Sequence, residues 1–224
     1  MTTESIAIAG WRIDAGLRQS GPGSCTGSVV QGPARLSCSA GEFMLSTGMY
    51  FTVPGDCEIE GGSGWLIRQN DFQALFQIGG PAEETGRLTY IDGCTDTLLI
   101  SPPVYGDPCL NLLHIPSHTR QTRHNHPSLR AGVIAGGSGH CVTPSGRIAL
   151  FPGMVFHIPT GVDHSFHTDD SALRVFAYHP DSDFGPKHVD HPMVNRTIIG
   201  GVSAARRPAA APEFSASGAQ DETS

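Results

Sequence analysis

The sequence has no run of about 18 consecutive apolar residues, so it contains no candidate transmembrane helix. It is also short of positive charge: 14 Lys and Arg stand against 21 Asp and Glu, which gives a formal net charge of −7. Nucleic acids and anionic membranes are bound through clustered Lys and Arg side chains. We therefore expect neither class of partner.

The six cysteines show no Cys-x-x-Cys spacing. The N-terminus, Met-Thr-Thr-Glu-Ser, has neither the basic region nor the apolar core of a signal peptide. Disulfides persist mainly in oxidising compartments. These features favour a cytoplasmic protein with reduced thiols, while the even number of cysteines is also compatible with disulfides.

The sequence has no convincing long amphipathic helix, and charged residues make up only 16% of it. The 28 glycines and 17 prolines separate short apolar runs that are rich in β-branched and aromatic residues. This mixture predicts an all-β fold of short antiparallel strands, in one large unit or two small ones. The predicted strands cover residues 7–13, 28–30, 34–38, 48–54, 64–68, 72–78, 97–100, 110–115 and 172–178.

One ten-residue pattern occurs twice, as residues 45–54 (LSTGMYFTVP) and residues 150–159 (LFPGMVFHIP). Both segments fit L-x-x-G-M-x-F-x-[V/I]-P, and they are offset by 105 residues. That offset is close to the length of one small β-barrel domain. The repeat predicts two related β-units.

Histidine is missing from the first 113 residues, and all 11 histidines lie between His114 and His191. The first unit therefore cannot supply a three-histidine metal site. In the second unit, His124-x-His126 on an extended segment directs both imidazoles to the same side. His164 follows a strand-like run and a Pro-x-Gly turn, which can return it to that face.

The histidines lie in two motifs that resemble those of the cupin superfamily, whose members are small jelly-roll β-barrels. The second cupin motif is written G-x5-P-x-G-x2-H-x3-N. It is matched by Gly153, Pro159, Gly161 and His164, and Thr168 stands where Asn is usual. Four landmarks at the correct spacing make this a specific signal.

The first cupin motif is written G-x5-H-x-H-x3,4-E-x6-G. It is matched by His124, His126 and Gly137, with Arg130 in place of Glu. The resemblance covers roughly residues 110–180 and, together with the repeat, implies two tandem double-stranded β-helix (jelly-roll) barrels, the first of them degenerate.

On this basis we predict four segments. Residues 1–24 form an N-terminal lead-in, and residues 25–95 form a degenerate cupin-like β-barrel without a metal site. Residues 96–199 form the metal-binding cupin barrel. Residues 200–224 form a disordered tail that is rich in Ala, Pro, Ser and Glu.

Arg130 changes what the resemblance implies about the metal. Cupins that keep all four ligands hold Fe, Mn, Ni, Cu or Zn with three histidines and a carboxylate. A guanidinium removes one ligand and adds a permanent positive charge. The remaining three-histidine face resembles that of a subset of cupin oxygenases, which implies Fe(II), with Zn, Mn, Ni or Cu as alternatives. Arg130 either pairs with a substrate carboxylate or points outward into solvent.

Three further residues are candidates for the pocket. Gln121, three residues before the first histidine of the motif, is a candidate catalytic residue alongside Arg130, or else an ordinary polar turn residue. Phe166 is two residues from His164, so both side chains point to the same side of an extended segment. Together with Ile134, Phe166 is predicted to form the pocket wall. Core packing would explain Phe166 equally well.

The implied function is a metal-dependent oxygenase that oxidises a small chelating or anionic organic substrate with dioxygen. Two alternatives stay open. One is a Zn or other divalent-metal cupin that acts as an isomerase, lyase or cyclase. The other is a non-catalytic cupin that binds a small molecule. A homodimer is a reasonable expectation, because barrels of this kind often bury an outer sheet face against a partner.

Overall fold

The computed structural model describes residues 5–207, in which nearly all regular structure is β-strand. The predicted all-β class is confirmed. No helix in this range is long and apolar enough to span a membrane. The six cysteines are free thiols, and five of them are buried.

Residues 6–79 form a sandwich of two antiparallel sheets. Its strands are β1 (Ile6–Trp11), β2 (Leu17–Gln19), β3 (Ser24–Gln31), β4 (Ala34–Cys38), β5 (Gly41–Leu45), β6 (Tyr50–Pro54), β7 (Cys57–Glu60), β8 (Ser63–Gln69) and β9 (Gln77–Gly79). One sheet has the order β1-β8-β3-β6-β9 and the other β2-β7-β4-β5. Apolar side chains such as Leu36, Phe51 and Ile59, all fully buried, form its core.

Residues 88–179 form a second sandwich. Its strands are β10 (Leu88–Thr89), β11 (Thr95–Ile100), β12 (Cys109–Ile115), β13 (Arg130–Gly137), β14 (Gly139–Thr143), β15 (Gly146–Leu150), β16 (Val155–Ile158), β17 (Ser165–His167) and β18 (Leu173–His179). The larger sheet has the order β10-β11-β12-β18-β13-β16, and the smaller one has the order β15-β14-β17. A short 3-10 turn, Ile91–Gly93, separates β10 from β11.

The two sandwiches repeat one strand order. The row β1-β8-β3-β6 corresponds to β12-β18-β13-β16, and the row β7-β4-β5 corresponds to β17-β14-β15. Residues 120–124 take the place of β2, since Arg120 and His124 form isolated bridges to His167 and His164. Strands β10 and β11 extend the second sheet at an edge where the first sheet ends with β1.

The repeated sequence pattern forms the same turn in both sandwiches. Gly48 and Gly153 have φ angles of +82° and +84°, a left-handed conformation that glycine adopts without steric cost. Their N–H groups donate to the carbonyls of Val29 and Ile134 at 2.9 and 2.8 Å. The N–H groups of Val29 and Ile134 donate back to the methionine after each glycine, at 2.9 and 3.0 Å. The internal repeat is therefore structural.

The two larger sheets pack against each other through aromatic side chains that include Trp65, Phe176 and Tyr178. Trp65 Nε1 donates to Ser28 Oγ at 2.9 Å, and Tyr178 Oη donates to Gln69 Oε1 at 2.7 Å. Both polar tips are satisfied, so the rings are buried without the cost of an unpaired donor.

Two predicted boundaries need correction. The sequence predicts a lead-in over residues 1–24, whereas residues 6–11 and 17–19 form β1 and β2 of the first sandwich. Both strands lie at sheet edges and are largely half-buried or exposed, so they lack a strong apolar pattern. The second sandwich ends with β18 at His179, not at residue 199.

Residues from Pro186 onward belong to a second compact unit. It contains α1 (Pro192–Arg196), β19 (Ile198–Ile199), β20 (Val202–Ser203) and the 3-10 turn Ala204–Arg206. The helix begins where a proline is favoured, and His191 accepts a capping hydrogen bond from the Val194 N–H. The predicted disordered tail, residues 200–224, thus contains regular structure up to residue 206. Residues 208–224 lie outside the described residues.

Candidate metal centre

Two chain segments bring the three predicted ligands together. The N–H of His124 donates to the carbonyl of His164 at 3.0 Å, and the N–H of His164 donates to the carbonyl of His124 at 2.8 Å. The Pro-x-Gly turn completes the arrangement: Gly161 has a φ of +71°, and its N–H donates to the carbonyl of His126 at 2.9 Å. Backbone bonds therefore hold both segments in fixed register.

The nitrogen donors of His124, His126 and His164 lie within 4.8 Å of one another. Nδ1 of His124 lies 2.8 Å from the carbonyl oxygen of Thr122, and Nδ1 of His164 lies 3.0 Å from that of Val162. A carbonyl only accepts, so each Nδ1 carries the proton and donates it. In both rings this leaves the Nε2 lone pair for a metal.

The surroundings favour the neutral form of two of the three imidazoles, those of His126 and His164. Burial, reinforced by the positive charge of Arg130, lowers the pKa of His126 to about 3. Burial also lowers the pKa of His164. The neutral imidazole is the form that coordinates a metal. The donor set therefore fits a divalent transition metal such as Fe or Zn.

A cavity of about 300 Å³ lies beside the three histidines. It is open because one row of residues across the larger sheet has small residues at its two central positions, Ala177 and Gly132. That row, in register on β12, β18, β13 and β16, consists of Asn111, Ala177, Gly132 and Phe156. Gly132 is needed there, since an added Cβ would lie 2.8 Å from Cζ of Phe156. Other residues that line the cavity are Leu88, Thr89, Tyr90, Asp96, Leu113, Gln121, Arg130, Ile158, Phe166, Val175 and His179.

The first sandwich fills the equivalent space with apolar side chains. Its corresponding row consists of Ala9, Leu66, Gly27 and Phe51. Leu66 is fully buried at the position where the second sandwich has Ala177. Leu17 and Ile59 pair where the second sandwich has its histidine bridge. At this position the first sandwich therefore has apolar core packing where the second sandwich has the candidate metal centre.

Arg130 lies on the cavity wall. Its Nη1 donates to Ser128 Oγ at 2.8 Å and to the carbonyl of Leu129 at 2.9 Å. Its Nε is buried without an acceptor, and Nη2 has no acceptor among residues 5–207. Nε and Nη2 form one edge of the guanidinium, which is able to bind a carboxylate through two parallel hydrogen bonds.

Gln121 and Phe166 reach the cavity, and Ile134 does not. Gln121 Oε1 accepts a hydrogen bond from the Phe166 N–H at 3.0 Å, so the amide mainly holds the segment that carries Phe166. The pocket position predicted for Ile134 needs correction. This residue is fully buried and packs in the core cluster that includes Leu150 and Leu173. The alternation of side chains along β13 predicts that Ile134 points inward, but it does not show whether the side chain reaches the cavity.

Polar residues of the wall that the sequence does not single out include Tyr90, Asp96 and Asn111, and His179 at the end of β18 also lies there. Burial and the nearby guanidinium lower the pKa of His179 to about 3. Asn111 Nδ2 donates to Asp96 Oδ1 at 2.6 Å. Asn111 carries a usable signal, since it is a polar residue at an inward position of a largely apolar strand. Tyr90 and Asp96 carry none, because their segment has no counterpart in the first half.

Thr168 stands where the second cupin motif usually has Asn, and it is fully buried. Its hydroxyl donates to the carbonyl of Pro116 and accepts a hydrogen bond from the Thr119 N–H at 3.0 Å. The two hydrogen bonds of the Thr168 hydroxyl therefore stabilise the turn that leads into residues 120–124.

Comparison with known proteins gives matches among solved structures only. No family model matches the sequence, and no curated protein matches it. A cupin 2 conserved barrel domain protein from Leptotrichia buccalis matches with a TM-score of 0.54 at 11% identity, over 77% of this chain and 81% of that chain. Protein Ylba from E. coli matches with a TM-score of 0.58 at 15% identity, over 81% of this chain and 78% of that chain. The chain has the cupin fold.

Another protein with this cupin fold is salicylate 1,2-dioxygenase from Pseudaminobacter salicylatoxidans, which matches with a TM-score of 0.57 at 12% identity, over 78% of this chain and 70% of that chain. At such identities the likeness concerns the fold alone, and cupin folds serve many functions. The side chains around the cavity therefore determine which function this fold supports.

Proposed function

We propose that this cupin is a metal-dependent oxygenase that oxidises a small anionic or chelating organic molecule with dioxygen. One observation carries the proposal: the three-histidine donor set and Arg130, whose Nε has no acceptor, line the same cavity. Three nitrogen donors without a carboxylate leave positions for both substrate and dioxygen, an arrangement that suits Fe(II). The likeness in fold to salicylate 1,2-dioxygenase is compatible with this class.

In this proposal His124, His126 and His164 hold Fe(II) through one nitrogen each. The Nδ1–H bonds of His124 and His164 to backbone carbonyls keep those rings oriented before metal binds. A bound metal supplies the place where substrate and dioxygen exchange electrons.

Arg130 binds the carboxylate of the substrate through its Nε and Nη2 edge. The hydrogen bonds from Nη1 to residues 128 and 129 hold the guanidinium in place and leave that edge free. Apolar side chains, among them Phe156, Phe166 and Val175, line the rest of the cavity and exclude water from the reacting groups.

Oxygen uptake tests this proposal. Metal-free protein is loaded anaerobically with one equivalent of Fe(II) and then given dioxygen with a panel of diketones, thiols, catechols, hydroxybenzoates and amino acids. We expect substrate-dependent oxygen consumption that His124→Ala abolishes. His157→Ala is the matched control, because this histidine is exposed on β16. Iron bound at one per chain without oxygen consumption on any substrate would overturn the proposal.

The same preparation loaded with zinc separates the alternatives. Zn(II) has no redox chemistry, so turnover with zinc and without oxygen would assign an isomerase, lyase or cyclase. Protein that takes up neither metal would be assigned as a small-molecule-binding cupin.

A further inference from the structure

The cavity has a second polar end, formed by strands that only the second sandwich has. Strands β10 and β11 extend the larger sheet beyond β12 and bring Tyr90 and Asp96 to the cavity wall. Arg130 lies on β13, three strands away from β11 in the sheet. At about 4.8 Å per strand spacing, the two backbones lie roughly 14 Å apart across the sheet, and Asp96 is also offset along the strands by about 13 Å, because it lies in the row of Ile134, four residues beyond Arg130. The cavity therefore has a cation on one side and a carboxylate on the other.

Asp96 is only half satisfied by the protein. Asn111 Nδ2 donates to Oδ1 at 2.6 Å, whereas Oδ2 has no hydrogen-bond donor among the residues that the structure describes. Burial raises the pKa of this carboxyl group, and the Asn111 bond opposes that rise only in part. A half-buried carboxylate favours a positively charged or hydrogen-bond-donating partner.

Asn111 is oriented by the same bond. Its amide nitrogen faces Asp96, so its oxygen faces elsewhere, and Asn111 Oδ1 is buried without a donor. The fold does not require an amide at this position, because the equivalent position in the first sandwich is Ala9. Two acceptor oxygens without protein donors thus belong to residues that line one end of the cavity.

We propose that Asp96, held by Asn111, binds the ammonium group of a small amino-carboxylic acid whose carboxylate pairs with Arg130. The substrate class is then zwitterionic, with its two charges at opposite ends and an apolar middle that lies over Ala177. This inference rests on the proposed function only for the role of Arg130 and the shared cavity. It does not depend on the redox chemistry of a metal.

Binding measured by titration calorimetry tests the inference on metal-free and zinc-loaded protein. The probes are ω-amino acids of three to six carbons, each paired with the unsubstituted carboxylic acid and the ω-hydroxy acid of the same length. We expect at least one amino acid to bind about tenfold more tightly than both of its matched acids, because a charge-assisted hydrogen bond is added.

Asp96→Asn keeps the acceptor for Asn111 but removes the charge, and it should bring the affinity ratio to about one. Asn111→Ala, which copies the first sandwich, should lower the ratio. Arg130→Gln should weaken amino acid and matched acid alike. Thr97→Ala is the control for damage to β11, since Thr97 hydrogen-bonds outside the cavity with residues 83 and 87, and it should leave the ratio unchanged.

The inference is overturned if no amino acid is preferred over its matched acids by the wild-type protein. It is also overturned if Asp96→Asn keeps the preference, or if the hydroxy acids bind most tightly. Failure of the oxygenase proposal has a different signature, because iron-loaded protein would then consume no oxygen while the affinity ratio persists.

Discussion

Ala177→Leu should close the cavity and make the protein more stable while abolishing ligand binding. The substitution adds three carbon atoms to a wall residue of a cavity of about 300 Å³. At about 0.8 kcal/mol per buried carbon group, the free energy of unfolding should rise by about 2 kcal/mol. Overpacking is not expected, because the first sandwich already holds Leu66 at the equivalent position of the same row.

Urea denaturation of metal-free protein gives the free energy of unfolding, and calorimetry gives the affinity for the ligand and for Zn(II). Zinc binding should persist, because the histidines lie on other segments. The reciprocal variant, Leu66→Ala, should cost about 2–5 kcal/mol and leave ligand binding intact. A less stable Ala177→Leu protein, or one that binds ligand normally, would refute the idea that this small residue creates the binding cavity.

Three other outcomes follow from the same geometry. Gly132→Ala should cost about 1–3 kcal/mol in urea denaturation, because its Cβ would collide with the carbonyl oxygen of Phe176; an unchanged midpoint would contradict this packing. Arg130→Gln should raise the pKa of His126 and His179, which NMR titration of the imidazole protons measures, since the guanidinium helps to lower both. Metal-free protein should lose stability as the pH falls from about 6.5 to about 3, because in this window the unfolded chain binds protons at both histidines and the native state does not. Stability that stays level across this window would argue against buried, neutral imidazoles.

The convergence of the three histidines could be predicted because its determinants are local in sequence. Alternation fixes the common side of His124 and His126, and a Pro-x-Gly turn returns His164. The sequence repeat likewise predicted two related units, because a turn that needs a glycine with positive φ occurs at both Gly48 and Gly153. Short motifs of this kind carry their geometry within about ten residues.

The far end of the cavity depends on register between strands that are distant in sequence. Asp96 reaches the cavity only because β11 pairs with β12 beyond the shared strand order. Ile134 has the right parity, but it is fully buried in a core cluster with Leu150 and Leu173 and does not reach the cavity. Neither fact is encoded in the local pattern around the residue. Edge strands such as β1 and β2 are hard to predict for a related reason, since their mixed exposure blurs the alternation.

Strand β18 is shared by two interiors. Phe176 and Tyr178 face the first sandwich, while Ala177 and His179 face the cavity. A shortened chain that begins near residue 81 would keep all three candidate metal ligands, yet it would place a broad apolar face in water and favour self-association. Substitutions at Trp65, which lies in the half without histidines, would act directly on the reverse side of the cavity wall. The half that has no histidines therefore supports the cavity wall of the other half.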